Sequence, residues 1–184
     1  MKKLLFIGLI VIGFAVNAQE SSSKINWMTM NEALAAQKEA PKNIIMDAYT
    51  DWCGPCKMLD KNTFGHPQVA EFINENYYPV KFNAEGEEEI KYKDEIFANP
   101  EYNPELKGRR NSPHEFARAL QISAYPSIVF FDEKGELIAP LKGYRTPAQI
   151  EIFLKIFAKD DYKNLTTEKE WNEYNENFEP TFTK

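Results

Sequence analysis

The chain has 184 residues, a length that fits one domain with additions better than two full domains. Hydrophobic residues make up 43% of it and aromatic residues 14%, which is enough to build a core and excludes an intrinsically disordered chain. The formal net charge of −6 argues against nucleic acid as a partner, because binding phosphates needs clustered lysine and arginine.

The N-terminal segment has the pattern of an export signal. Two lysines precede an almost wholly apolar run at 4–16, and Val16-Asn17-Ala18 then places small residues at the two positions that signal peptidase reads. The pattern predicts a signal peptide over residues 1–18, cleaved after Ala18, and a mature periplasmic domain over residues 19–184. The apolar run is about 13 residues long and a membrane-spanning helix needs about 20, so an uncleaved membrane anchor is the weaker alternative.

The first half of the mature chain alternates predicted helices and strands. A capping box, Thr followed three residues later by Glu, starts a helix at residues 29–32, and Pro41 ends it. The apolar run 43–49 has no helical period and predicts a buried strand. The remaining elements of this half are a helix over about 55–61, a helix opened by His66-Pro67 and a strand over 78–84.

Residues 85–111 differ in character from the rest. They contain three consecutive glutamates, two Asn-Pro pairs and a Gly-Arg-Arg sequence. We interpret them as an inserted, partly helical surface segment. Ser112-Pro113-His114-Glu115 then predicts a second capping box, with proline at the first helical position and Phe116, Ala119 and Leu120 on the apolar face of the helix.

The last third of the chain predicts a hairpin followed by helices. Strands at 127–131 and 136–141 are joined by an Asp-Glu-Lys-Gly turn, and capping patterns at 146–149 and 167–170 each start a helix. The last helix lies in a C-terminal extension over about residues 159–184. The order of elements predicts an α/β fold with a central mixed sheet flanked by helices.

The chain contains only two cysteines, Cys53 and Cys56, which lie three positions apart. A bridge across so short a loop would remove only about 2 kcal/mol of unfolded-state entropy, far less than one closing a long loop. The pair is therefore poorly placed for stability and well placed for redox exchange. Cys53 also falls at the start of a predicted helix, where free backbone N–H groups favour a thiolate, and Cys56 lies one turn later on the same face.

The stretch Trp52-Cys53-Gly54-Pro55-Cys56-Lys57 resembles the active site of the thioredoxin family, and the resemblance covers roughly residues 44–158. It implies a thioredoxin-like fold in which Cys53 attacks a disulfide and Cys56 resolves the mixed disulfide. Gly54 and Pro55 would allow the tight turn between the cysteines. Trp52 would offer an apolar surface for the substrate, with simple core packing as the alternative.

Two further residues match the proton-handling pair of that family. Asp47 lies in the otherwise apolar strand 43–49, where a lone acid is costly unless it has a partner or a role. The resemblance implies that Asp47 lies behind Cys56 and assists its deprotonation, with a pKa raised by burial. Lys81 matches the lysine that partners this acid. The alternative is that Asp47 lies at a strand end in water.

The resemblance also predicts the substrate groove. Tyr125-Pro126 comes directly before a strand, where thioredoxin-like proteins place a cis-proline facing the cysteines. The residue before the proline would pair its backbone with the substrate chain. Tyr125 departs from the small or β-branched residue common there. Gly143 matches a family glycine near the groove.

Three functions are compatible with the sequence. The first is a thiol–disulfide oxidoreductase, with the Gly-Pro pair resembling the reducing members and electrons coming from a membrane partner. The second is a copper or zinc module using the two thiolates with His66 or His114. The third is a non-enzymatic peptide-binding module. We favour the first, acting on disulfides of exported proteins, with no metal and no cofactor besides the cysteine pair, in a monomer.

Overall fold

The computed structural model describes residues 24–182, so the predicted signal peptide lies outside the described residues. Its central feature is a mixed sheet of four strands, β1 (Asn43–Tyr49), β2 (Tyr77–Asn83), β5 (Ser127–Phe131) and β6 (Leu137–Lys142). Their order in the sheet is β2-β1-β5-β6. β1 pairs with β2 in parallel and with β5 antiparallel, and β5 pairs antiparallel with β6. The predicted mixed sheet is confirmed.

The two faces of the sheet are covered by different helices. The helices are α1 (Met30–Glu39), α2 (Gly54–Leu59), α3 (Pro67–Asn76), α4 (Glu115–Ala119), α5 (Pro147–Ala158) and α6 (Glu168–Glu176). Ile45 of β1 packs with the apolar residues of α3 and α5, while its neighbours Ile44 and Met46 pack with those of α1 and α4. Side chains alternate across a strand, so the continuous apolar run of β1 fits a strand covered on both faces. In the described part of the chain, no helix combines the length and hydropathy that crossing a membrane needs.

The three capping boxes built on threonine are all present. The Thr29, Thr146 and Thr167 side chains each accept from the backbone N–H three residues later, and the Glu or Gln there returns the contact. Local hydrogen bonds of this kind satisfy the free N–H groups at the start of a helix, which explains why the sequence pattern predicted these starts. The helix after the cysteines is shorter than predicted and continues as a π-helical turn, Asp60–Phe64.

The inserted segment, predicted to be partly helical, contains a short hairpin that the sequence analysis did not predict. It forms a short hairpin, β3 (Ile90–Tyr92) paired antiparallel with β4 (Glu95–Phe97), and its single helical piece is a 3-10 turn at Pro104–Leu106. The hairpin forms because Ile90 is fully buried against the α1 and α4 face of the core. The segment is therefore packed onto the domain at Ile90 and again at Phe97 and Asn99, and its tip at 100–110 is mostly exposed.

The predicted capping box at Ser112 is wrong. α4 begins at Glu115 with His114 as its cap, and the His114 Nδ1 accepts from the backbone N–H of Phe116 at 3.0 Å. The Ser112 side chain instead donates to Glu101. The buried face of this helix carries Phe116, Ala117 and Leu120 rather than Ala119, which is exposed.

The C-terminal extension is held to α5 by aromatic stacking and by one buried acid. Trp171 of α6 stacks on Phe153 with ring centroids 5.6 Å apart. Glu151 of α5 is fully buried and accepts from the backbone N–H groups of Thr181 and Phe182, each at 2.7 Å. The end of the described chain is thus fastened to the helix that covers the sheet.

Candidate active site

The two cysteines form a disulfide at the point where the chain turns from β1 into α2. Cys53 is the N-cap of α2 and Cys56 lies in its first turn, with their Cα atoms 5.3 Å apart. The backbone N–H of Cys56 donates to the Cys53 Sγ at 3.1 Å. An N–H aimed at this sulfur stabilises its thiolate once the disulfide is reduced, which suits Cys53 as the attacking residue. Each cysteine is only 2% exposed, so very little of the disulfide meets solvent.

Gly54 and Pro55 are exposed between the cysteines. A Cβ added to Gly54 would meet no atom within 4 Å, and its φ lies outside the left-handed region. The backbone turn does not itself require glycine here. Pro55 lies at the start of α2, where its missing N–H breaks no helical hydrogen bond.

Asp47 is fully buried in the middle of β1, so the alternative of a solvated strand end is wrong. Its Oδ2 lies 2.6 Å from the Lys81 Nζ, and Lys81 is its register partner on β2. Burial raises the pKa of Asp47 to about 6, and the ion pair with Lys81 lowers it only in part. The other oxygen, Oδ1, has no hydrogen-bond partner among residues 24–182. Asp47 therefore has the acidity and the open lone pairs of a proton acceptor.

Asp60 is a member of this cluster that the sequence analysis missed. The Lys81 ammonium also contacts the Asp60 carboxylate, and the backbone N–H of Asp60 donates to the Cys56 carbonyl. The lysine thus links the buried acid of β1 to the turn that follows Cys56. An acid four residues after Cys56, on the same helical face, was the signal available in the sequence.

The structure brings together the residues predicted for the substrate groove. The Tyr125-Pro126 peptide bond is cis, and the Tyr125 ring meets the Trp52 ring edge to face at 6.2 Å. The backbone N–H of Gly143 donates to the Pro126 carbonyl at 2.8 Å. Gly143 has a φ of +87°, which favours glycine, and a Cβ there would meet nothing within 4 Å. The groove predicted at this edge therefore has an open glycine beside the proline.

Trp52 is fixed by the inserted segment, a contact the sequence analysis did not predict. Its indole Nε1 donates to the Glu85 Oε2 at 2.7 Å, and the Arg110 guanidinium lies over its ring, 4.6 Å from the centroid. The ring is half-buried, so simple core packing does not describe its position. Glu85 and Arg110 join the rim of the site from opposite ends of the insertion.

The two histidines of the metal hypothesis do not gather with the cysteines. His114 uses Nδ1 to cap α4, and its Nε2 lies 2.6 Å from the Glu88 carbonyl. His66 is the N-cap residue of α3. Among the described residues, no group of three or more histidine, cysteine, aspartate or glutamate side chains could hold a metal ion.

Comparison with known proteins decides the family. Residues 30–158 match the model of the thioredoxin-like domain. The chain belongs to this family. The fold of this thioredoxin-like chain also matches a thioredoxin-fold protein from Helicobacter pylori, with a TM-score of 0.62 and 15% identity over 86% of this chain and 91% of that one. A thioredoxin from Thermus thermophilus matches with a TM-score of 0.52 and 18% identity, covering 72% and 85% of the two chains.

Curated relatives of the thioredoxin-like chain carry the name thiol:disulfide interchange protein DsbD. The protein of this name from Pectobacterium atrosepticum is 26% identical over 149 residues, which are 77% of this chain and 21% of the relative. The one from Citrobacter koseri is 31% identical over 106 residues, 58% of this chain and 14% of the relative. The chain thus spans about a fifth or less of their length. The family match and the disulfide together make Cys53 and Cys56 the candidate redox pair of this chain.

Proposed function

We propose that this chain reduces or exchanges disulfides of exported proteins, working as a monomer with no cofactor beyond its own cysteine pair. The observation that carries the proposal is the Cys53–Cys56 disulfide at the start of α2, with the buried acid Asp47 linked to the same helix through Lys81. A redox pair, a helix start and a proton acceptor are the parts that disulfide exchange needs.

The reaction proceeds in two thiol exchanges. The Cys53 thiolate attacks a substrate disulfide, forms a mixed disulfide and releases one substrate thiolate, which takes up a proton from solvent. Cys56 then gives its proton to Asp47 and attacks Cys53, which forms the Cys53–Cys56 disulfide and releases the second substrate thiolate. Two electrons have passed to the substrate, and the chain is left oxidised.

The groove beside the pair binds the substrate backbone in this proposal. The backbone of Tyr125 pairs with the substrate chain as an added strand would, and the cis-proline Pro126 and the open Gly143 shape the groove around it. Trp52 provides the apolar surface at its end. The substrate disulfide thereby meets Cys53 at the small part of it that is exposed.

The location and the electron donor follow from the same proposal. The export signal predicted at residues 1–18 supports a location in the periplasm, an oxidising compartment. A reductant there needs electrons from the cytoplasmic side, so the oxidised pair would be reduced again by a membrane protein. The names of the DsbD relatives as interchange proteins support this class of reaction.

The test is capture of the mixed disulfide. Cys56→Ser leaves Cys53 able to attack but removes the resolving thiol, so substrates should remain joined to the variant and be released by a reductant. The matched control is Cys53→Ser, which should capture none. Absence of captured exported proteins with Cys56→Ser would contradict the proposal.

The reduction potential of the cysteine pair tests whether the chain donates electrons to its substrates or accepts electrons from them. A potential near about −270 mV, the thioredoxin end of the range, supports reduction of substrates, whereas one near about −120 mV would make the chain an oxidant.

A further inference from the structure

A basic turn lies beside the disulfide of this acidic chain. We define the basic turn as Lys107, Gly108, Arg109 and Arg110, which are all exposed at the end of the inserted segment. Within residues 24–182, no carboxylate lies within ion-pair distance of its three cations. Three unpaired positive charges in four residues stand out in a chain whose net charge is −6.

One cation of the basic turn is fixed against the active site. The Arg110 guanidinium lies 4.6 Å from the centre of the Trp52 ring. Glu85 holds the two together, because its Oε2 accepts from the Trp52 indole at 2.7 Å and from the backbone N–H of Asn111 at 2.8 Å. Arg110 is therefore tied through the residue that follows it and cannot be treated as a freely moving surface side chain.

The carboxylate in this contact does not leave the region negative. Glu85 and Asp51 bring two negative charges to the cavity that Lys107 and Arg109 also line, and the basic turn sets three positive charges against them. The Arg110 guanidinium lies over the Trp52 ring and its side chain makes no hydrogen bond or ion pair within residues 24–182, so its N–H groups are available for a further partner. Arginine in this arrangement binds a carboxylate through two parallel hydrogen bonds.

We propose that Arg110 determines substrate specificity by selecting polypeptides that carry an aspartate or glutamate close to the cysteine of their disulfide. The inference rests on the function proposed above and names the substrate class of the same site. A substrate chain paired beside Tyr125 must pass the Trp52 ring, because these two rings meet at 6.2 Å. Side chains near the substrate cysteine therefore come close to the Arg110 guanidinium.

The experiment compares peptides that differ only in charge. Three disulfide-linked peptides carry aspartate, serine or lysine on both sides of the cysteine, and the reduced full chain is mixed with each in single-turnover reactions. We expect the aspartate peptide to be reduced about three- to tenfold faster than the serine peptide, and the lysine peptide more slowly, at low salt. The differences should shrink as salt rises, because the contact lies at the surface.

Variants assign the preference to Arg110. Arg110→Ala should lower the ratio of the aspartate rate to the serine rate to about one, and Arg110→Glu should reverse the preference. Arg110→Lys keeps the charge without the planar group and should retain part of the ratio. The matched control is Arg118→Ala, since Arg118 is an exposed arginine of α4 that pairs with Glu101 instead, and its ratio should match the unmodified chain.

Two results would overturn the inference. One is a chain that reduces all three peptides at the same rate at low salt. The other is an Arg110→Ala variant whose rates fall equally for all three peptides, because that result would show that Arg110 only positions Trp52 and does not discriminate between substrates. Failure of the proposed function looks different, since the serine peptide would then not be reduced by the unmodified chain.

Discussion

Asp47 and Lys81 lie opposite each other on β1 and β2, with 2.6 Å between the carboxylate and the ammonium, and yet Asp47 is a weaker acid than a solvated aspartate. The pKa of Asp47 is raised to about 6 because the loss of water around a fully buried charge outweighs the attraction of the lysine. Lys81 is shared with Asp60, and the second carboxylate raises the pKa further. The pair thus keeps a carboxyl group that changes its charge near neutral pH.

The buried acid predicts how stability depends on pH. An unfolded chain releases the Asp47 proton near pH 3.8, whereas the folded chain keeps it until about pH 6. Ionisation of Asp47 therefore opposes folding, and the contribution of this one group to stability falls as pH rises through this window. Asp47→Asn cannot titrate, so its free energy of unfolding relative to that of the unmodified chain should rise by roughly 2 kcal/mol between pH 4 and pH 7. Urea denaturation of the oxidised proteins at several pH values measures the gain. Asp51→Asn, a change at an exposed aspartate, should show no comparable gain.

The shared lysine predicts opposite changes in the pH dependence of the reaction. The rate of substrate release should rise as Asp47 ionises, because only the ionised form accepts the Cys56 proton. Asp60→Asn removes a negative charge and should move this rise to lower pH. Lys81→Met removes the positive charge and should move it to higher pH. Single-turnover rates against pH measure both shifts, with Lys61→Met as a control at an exposed lysine, and shifts in one common direction would contradict the assignment.

The cap of α4 predicts unequal effects of two neighbouring substitutions. His114→Ala loses the acceptor for Phe116 and the contact with Glu88, and should lower the free energy of unfolding by at least ~2 kcal/mol. Ser112→Ala should change it by less than about 0.5 kcal/mol, because the Ser112 side chain makes only exposed contacts and its backbone hydrogen bonds are kept. Thermal or urea denaturation compares the two variants. Equal losses of stability would contradict His114 as the cap of α4.

His114 also predicts a loss of stability in mild acid. Burial lowers the pKa of His114, so the unfolded chain takes up a proton first, near pH 6.5, and stability falls as pH decreases below that value. His114→Asn keeps a side chain that can cap the helix but does not titrate. The free energy of unfolding of this variant should therefore decrease less as pH falls below 6.5. Urea denaturation at several pH values measures this, and the same decrease in both proteins would contradict the assignment.

The contact between Glu151 and the end of the described chain predicts that two changes, one on each side of it, have non-additive effects on stability. Glu151→Ala leaves the Thr181 and Phe182 donors unmatched, and a chain ended at Pro180 leaves the buried Glu151 carboxylate with Lys155 as its remaining partner. Each change should lower the free energy of unfolding by about 2–4 kcal/mol. Because both remove the same contact, the double variant should lose much less than the two losses added together. Additive losses in urea denaturation would show that the two elements are independent.

The elements that the sequence predicted well depend on local interactions. Three threonine capping boxes and the turn before Gly135 involve residues at most four positions apart, and the structure contains all of them. The hairpin of the insertion could not be predicted in this way, since its strands have three residues each and form because Ile90 is buried by distant parts of the chain. Histidine is also a rare helix cap, which is why Ser112 was the more plausible choice.

The candidate site divides in the same manner. The resemblance located the cysteines, Asp47 and the cis-proline through short motifs with fixed spacing. Glu85 and Arg110 reach Trp52 from an insertion that the motif does not cover, and Glu85 is 33 positions away in sequence. The contact joins a residue of the cysteine motif to an insertion that has no periodic pattern. A single sequence contains no signal for such a contact, so only the folded chain reveals it.

The base of the insertion is closed by a backbone hydrogen bond from the His114 N–H to the Ala84 carbonyl at 2.8 Å. The segment between them leaves the sheet and returns at one point, so its length and composition can change while the strands keep their register. In evolutionary terms, the redox centre and its charged rim are separable: one can be inherited intact while the other is exchanged. A related chain with a different segment between Ala84 and His114 would keep the same thiol–disulfide chemistry and act on different substrate proteins.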